Sequence, residues 1–154
     1  MQRSGLGVFL AAVSMTGCVI APMSPEALSS ASAEQVHEVT FTVPVTVNAA
    51  YRNTLGKARE CWQQTSGVIL TQSFFVEGDP FDAELGFARV SVRTGSVVIT
   101  SVTLKPDGPT STTGVGRNVK VMGGLAHHVG YLDLPNLAAW AEGRLVTCND
   151  KLLF

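Results

Sequence analysis

Val39-Thr-Phe-Thr-Val-Pro-Val-Thr-Val47, followed directly by Asn48-Ala-Ala-Tyr-Arg-Asn-Thr-Leu-Gly-Lys-Ala-Arg-Glu-Cys-Trp62, is where the apolar period of the chain switches from two residues to about 3.6. In the first part Val39, Phe41, Val43, Val45 and Val47 alternate with Thr40, Thr42, Pro44 and Thr46. That pattern predicts a strand with one face buried. Pro44 has no N–H for a ladder, so the strand is expected at a sheet edge or with a bulge there. In the second part Tyr51, Leu55, Ala58 and Trp62 form the stripe of an amphipathic helix, with Arg52, Lys57 and Arg59 on its other faces. Asn48 is the expected N-cap and Gly67 the expected stop.

Downstream, three β-rich segments at 68–76, 87–93 and 97–104 read as a meander, with Gly95-Ser96 a tight turn between the last two. Residues 106–116, rich in Pro, Gly, Ser and Thr, read as a mobile loop leading to a short strand near 118–122. Pro135 suits the first turn of a second helix ending at Gly143, with Leu134, Leu137, Ala138 and Ala141 as its apolar stripe. Residues 145–148 close the chain as an extended piece. The order β-α-β-β-β-(β)-α predicts the α+β class, an antiparallel sheet of about four or five strands with two helices packed on one face.

Upstream, Arg3 precedes the apolar run from Gly5 to Val13, and Ser14-Met15-Thr16-Gly17-Cys18 follows. The run is shorter than the ~20 residues a membrane-spanning helix needs. Met15-Thr16-Gly17-Cys18 resembles the lipobox of bacterial lipoproteins. The resemblance implies that residues 1–17 are a signal peptide and that Cys18 is acylated, anchoring the chain to a lipid bilayer in the cell envelope. Val19 lacks the Asp that signals inner-membrane retention in enteric lipoproteins, so the resemblance points to the outer membrane, facing the periplasm. Residues 18–35, rich in Ala, Ser and Pro, are expected to be a lipidated tether, and residues 36–154 a single α+β domain.

Acylation of Cys18 leaves Cys61 and Cys148, which the oxidising space outside the cytoplasm favours as a disulfide over two separately buried thiols. The link would tie the first helix to the segment after the second.

Charge argues against nucleic acid as a partner. The chain has 11 Lys and Arg against 12 Asp and Glu, a formal net charge of -1, with no clustered basic run. The stretch Glu77-Gly-Asp-Pro-Phe-Asp-Ala-Glu84 holds four carboxylates, yet it lacks the ligand spacing of a calcium loop and reads as a solvated hairpin connection. His127 and His128 are adjacent, so on a strand they face opposite sides and on a helix they diverge by about 100°. With Asp133 nearby one of them could join a zinc site or act as a base, but no second ligand pair stands at diagnostic spacing. His37, beside Glu38, reads as a solvated edge position. No Gly-x-Ser-x-Gly elbow is present, and Gly114-Val-Gly116 opens no helix of the dinucleotide-binding kind.

Phe74 and Phe75 remain as the anomaly. Adjacent on a strand, they point to opposite faces, so either a loop such as Pro106 to Gly116 folds over the second Phe or it contributes to an uncovered apolar patch. With Arg117 they are the candidate binding residues. The expectation is a noncatalytic, membrane-anchored envelope lipoprotein, without cofactor or metal, that binds an envelope protein or a small apolar ligand. An accessory subunit of an envelope assembly, transport or secretion complex is the alternative, and a metal-dependent or hydrolytic enzyme using His127 or His128 the third reading.

Overall fold

A computed structural model describes residues 24–63, 73–120 and 129–149. The elements are α1 (Pro25–Ser30), β1 (Val36–Val43), α2 (Val47–Trp62), β2 (Phe75–Asp82), β3 (Phe87–Thr94), β4 (Val97–Pro106), β5 (Thr112–Val119), a 3-10 turn (Leu134–Asn136) and α3 (Leu137–Ala141). The five strands form one antiparallel sheet in the order β1-β5-β4-β3-β2. This is the α+β class that the alternating strand and the amphipathic helix predict.

Strand β1 ends at Val43, and Pro44 begins the turn into α2 at the sheet edge, where no ladder bond is lost. Thr46, rather than Asn48, caps α2, its hydroxyl accepting the N–H of Ala49 at 3.3 Å. The helix ends at Trp62, with Gln63 as its extended C-cap, and Gly67 lies outside the described residues. Strands β1 and β2 are the two edges, so α2 carries the chain from one side of the sheet to the other. It packs on β2, β3 and β4 and against α3.

The core lies between the sheet and these two helices. Val43, Val90, Val92, Val102 and Leu104 from the strands meet Ala50, Ala58, Trp62, Leu137 and Trp140 from the helices. Trp62 and Trp140 pack in a tilted arrangement, with centroids 4.9 Å apart and ring planes at 50°. Cys61 and Cys148 form a disulfide with a Cα–Cα distance of 5.3 Å. It joins the last turn of α2 to the segment after α3.

Three sequence expectations need correction. The span read as tether through Gln35 contains α1, started by Pro25 at its first position and capped by the Ser24 hydroxyl, which accepts the Ala27 N–H. Its fully buried Leu28 packs with Val36, Val98 and Val119 on the face of the sheet opposite α2 and α3. One apolar anchor in six residues gives no helical period to read. The segment read as a loop is mostly β5, pairing β1 on one side and β4 on the other. Its helix-facing positions are Thr112, Gly114, Gly116 and Asn118, because neighbours fill the space above them. A Cβ on Gly114 would lie 2.2 Å from Phe41 Cζ, and one on Gly116 would lie 2.2 Å from Leu137 Cδ1. Third, most of the acidic stretch is strand. β2 runs through Pro80 to Asp82, with a register shift between Asp79 and Asp82 that an edge strand tolerates. Only the turn after it is a connection, held by Asp82 Oδ1 accepting the N–H groups of Glu84 and Leu85.

Candidate functional site

Alternation along β3 places Ala88, Val90 and Val92 under the helices and Arg89, Ser91 and Arg93 on the opposite face. The β2–β3 and β1–β5 registers put Phe75, Glu77 and Asp79, and Glu38 and Arg117, on that same face. Three arginines therefore line it, and each meets a glutamate. Arg89 bonds Glu26 of α1 at 2.8 Å, Arg93 pairs with Glu77 at 2.6 Å, and Arg117 pairs with Glu38 at 2.6 Å. Arg117 also donates to the Leu28 carbonyl at 3.4 Å, so β5 holds the C-terminal half of α1.

Helix α1 covers β4 and part of β5. On this face Ser91, Ser101 and Arg89 are buried, and among the described residues Ser91 Oγ and Arg89 Nε meet no hydrogen-bond partner. The contact is apolar around Leu28 and polar elsewhere. The Arg89 guanidinium holds the Glu26 carboxyl below its ordinary range, helped by backbone and Ser24 hydrogen bonds. On the other side of the sheet, burial raises the Tyr51 hydroxyl above its ordinary range, and the Asp79 carboxylate adds to the effect.

The Phe74 and Phe75 side chains point to opposite faces. Phe74 packs against the core under α2, whereas Phe75 is 43% exposed on the arginine-bearing face, with the Arg93 guanidinium 6.0 Å from its ring centre. Phe75 and Arg117 share the face but stand on β2 and β5, three strand spacings or about 14 Å apart, so they do not form one contact. Arg117 lies within a strand rather than at the end of a loop. Arg93, which sequence reading passed over, is the residue beside Phe75. Its place was legible in the alternation of Arg89, Ser91 and Arg93 with Ala88, Val90 and Val92.

The other chemical candidates are occupied structurally or lie elsewhere. Asp133 is fully buried, and its carboxylate accepts the Trp62 indole N–H at 3.0 Å and the Asn149 backbone N–H at 2.7 Å. It brackets the disulfide rather than facing solvent. His37 packs against Tyr131 in a tilted contact with centroids 4.3 Å apart. His127, His128 and Cys18 lie outside the described residues. Glu60 approaches Cys61 and Cys148 closely enough for a shared ion, but both sulfurs are spent in the disulfide. An open groove beside that bond is lined by Lys57, Glu60 and residues 145–149, where Leu145 is fully exposed. No described helix is long and apolar enough to cross a membrane. No protein-family model matches the chain, and no curated protein matches it.

Proposed function

We propose that this chain is a noncatalytic envelope lipoprotein, anchored through Cys18, that binds a protein partner on the arginine-bearing sheet face around Phe75 and Arg93. The observation that carries the reading is Phe75, a large aromatic ring 43% exposed on regular strand with a guanidinium beside it. Aromatic residues and arginine are the side chains that protein interfaces concentrate, and they supply most hot spots. A small apolar ligand asks for a concave apolar pocket. The groove beside the disulfide is open and carries the Lys57–Glu60 ion pair, which supports a protein partner over such a ligand. Service as an accessory subunit of an envelope assembly, transport or secretion complex would be one instance of this reading.

The test is crosslinking in intact cells with wild type, Phe75→Ser and Arg93→Glu. If Phe75 is a hot spot, its truncation costs about 2 kcal/mol or more, a loss of roughly 30-fold in affinity, and the wild-type adduct disappears in both variants. Cys18→Ser releases the protein in soluble form. An adduct unchanged in both face variants, or turnover by purified protein that depends on His127 or His128, overturns the proposal.

A further inference from the structure

The docking of α1 changes how far the domain can stand from its anchor. A tether through Gln35 would reach about 55–60 Å, but α1 begins at Pro25, so seven residues span the distance from Cys18. The covalent chain limits that distance to at most about 23–25 Å. A folded domain of this size is roughly 35 Å across. The anchor is therefore shorter than the domain it holds.

The exit point is also fixed. Glu26, in the first turn of α1, bonds Arg89 on β3, so the chain leaves from the arginine-bearing face, one strand from β2. Phe75 stands four residues along β2 from the position opposite Arg89, about 14 Å from the exit. The candidate binding face and the start of α1 thus lie on one side of the molecule.

We infer that the partner is a protein embedded in the same membrane, engaged by the Phe75 face close to the bilayer surface. This rests on the lipid-anchor and protein-partner reading above. The face itself argues for protein over lipid, because Arg89, Arg93 and Arg117 are each matched by a glutamate, leaving no cluster of unpaired cations among its described residues to attract anionic headgroups. It offers one aromatic ring among directional hydrogen-bonding groups. A short tether confines the domain to a thin layer above the bilayer and so raises its local concentration near such a partner, a gain that falls as about the square root of tether length for an anchor that moves freely in the plane.

A photoreactive benzophenone side chain at position 75 tests the inference in the full-length lipidated protein in intact cells, with the same group at Lys57, on α2, as the opposite-face control. The expected result is a position-75 adduct with a protein that stays in membranes washed with alkaline carbonate. Inserting 30 Gly and Ser residues between residues 20 and 21 leaves α1 intact and lowers that adduct about twofold. An adduct with a carbonate-released protein, an adduct insensitive to the insertion, crosslinking to lipid alone, stronger crosslinking from position 57, or no adduct each overturns the inference. Cys18→Ser separates the two levels. If that variant stays on the membrane, the anchor reading fails; if it is released while the wild type crosslinks a soluble protein, the anchor stands and the membrane-partner inference alone fails.

Discussion

Gly114 and Gly116 show how one residue type can serve two ends. Each lets a neighbouring side chain lie flat on β5, Phe41 on the first and Leu137 on the second, and the latter sets how closely α3 approaches the sheet. Adding a methyl at position 114 would drive it into the Phe41 ring, where the Cβ–Cζ distance would be 2.2 Å. Gly114→Ala is therefore expected to cost about 1–3 kcal/mol, the usual range for overpacking. Gly56 is the control, an exposed glycine inside α2 with open space where a methyl would stand, so Gly56→Ala should add about 0.5–1 kcal/mol through helix propensity. Urea midpoints at constant m-value measure both. Equal shifts in the two variants would show that the ring contact is not what requires glycine at 114. The same residues explain why β5 was hard to read. Its buried face carries no apolar side chains of its own, so alternation is lost from the strand and reappears in Phe41 and Leu137, distant in sequence.

At the element scale α1 is the weakest attachment. One fully buried leucine supplies its apolar contact, worth about 1.5–3 kcal/mol, and the rest is the Glu26–Arg89 pair and the Arg117 bond to the Leu28 carbonyl. The Glu26 carboxyl is largely exposed, so its ion pair adds only a modest amount. Its sign is nonetheless fixed. The folded-state pKa is held below the unfolded value of about 4.3, so the contribution is complete above that value and is lost as pH falls through the folded one. Wild type should exceed Glu26→Gln in thermal stability at pH 6, and the difference should shrink as pH falls below the ordinary carboxylate range. A difference that does not shrink on acidification would mean that Glu26 acts through something other than its charge. Elements with a strong period, β1 and α2, were legible at the level of face and partner. α1 was not, because six residues with one leucine carry no period, and its place is decided by Val36, Val98, Val119 and Arg89 on other segments. The candidate site divides the same way: the opposite orientation of Phe74 and Phe75 follows from alternation alone, whereas the ion pairs of Arg89, Arg93 and Arg117 needed the strand order.

On the scale of the whole molecule, the Cys61–Cys148 bond closes the chain over 87 residues, from the end of α2 through four strands and α3. Its pairing could be argued from cysteine count and compartment because a covalent partner leaves a signature in composition. The hydrogen bonds that surround it left none. Chain-entropy reasoning gives the crosslink about 4–5 kcal/mol, acting mainly by restricting the unfolded chain. Replacing both cysteines by alanine is then expected to lower the melting temperature by roughly 10–20 °C. Asp133→Ala removes the bonds to Trp62 and Asn149 while leaving the disulfide intact, and should cost about 1–3 kcal/mol through unsatisfied buried donors. The two variants differ in kind as well as size. Loss of the crosslink frees the unfolded chain to expand, so the double-alanine variant should show a larger urea m-value, whereas Asp133→Ala should shift the midpoint and leave the slope unchanged. A double-alanine variant with an unaltered m-value and a loss below about 1 kcal/mol would place the stability of this region in the packing of Trp62, Trp140 and Asp133 rather than in the covalent link.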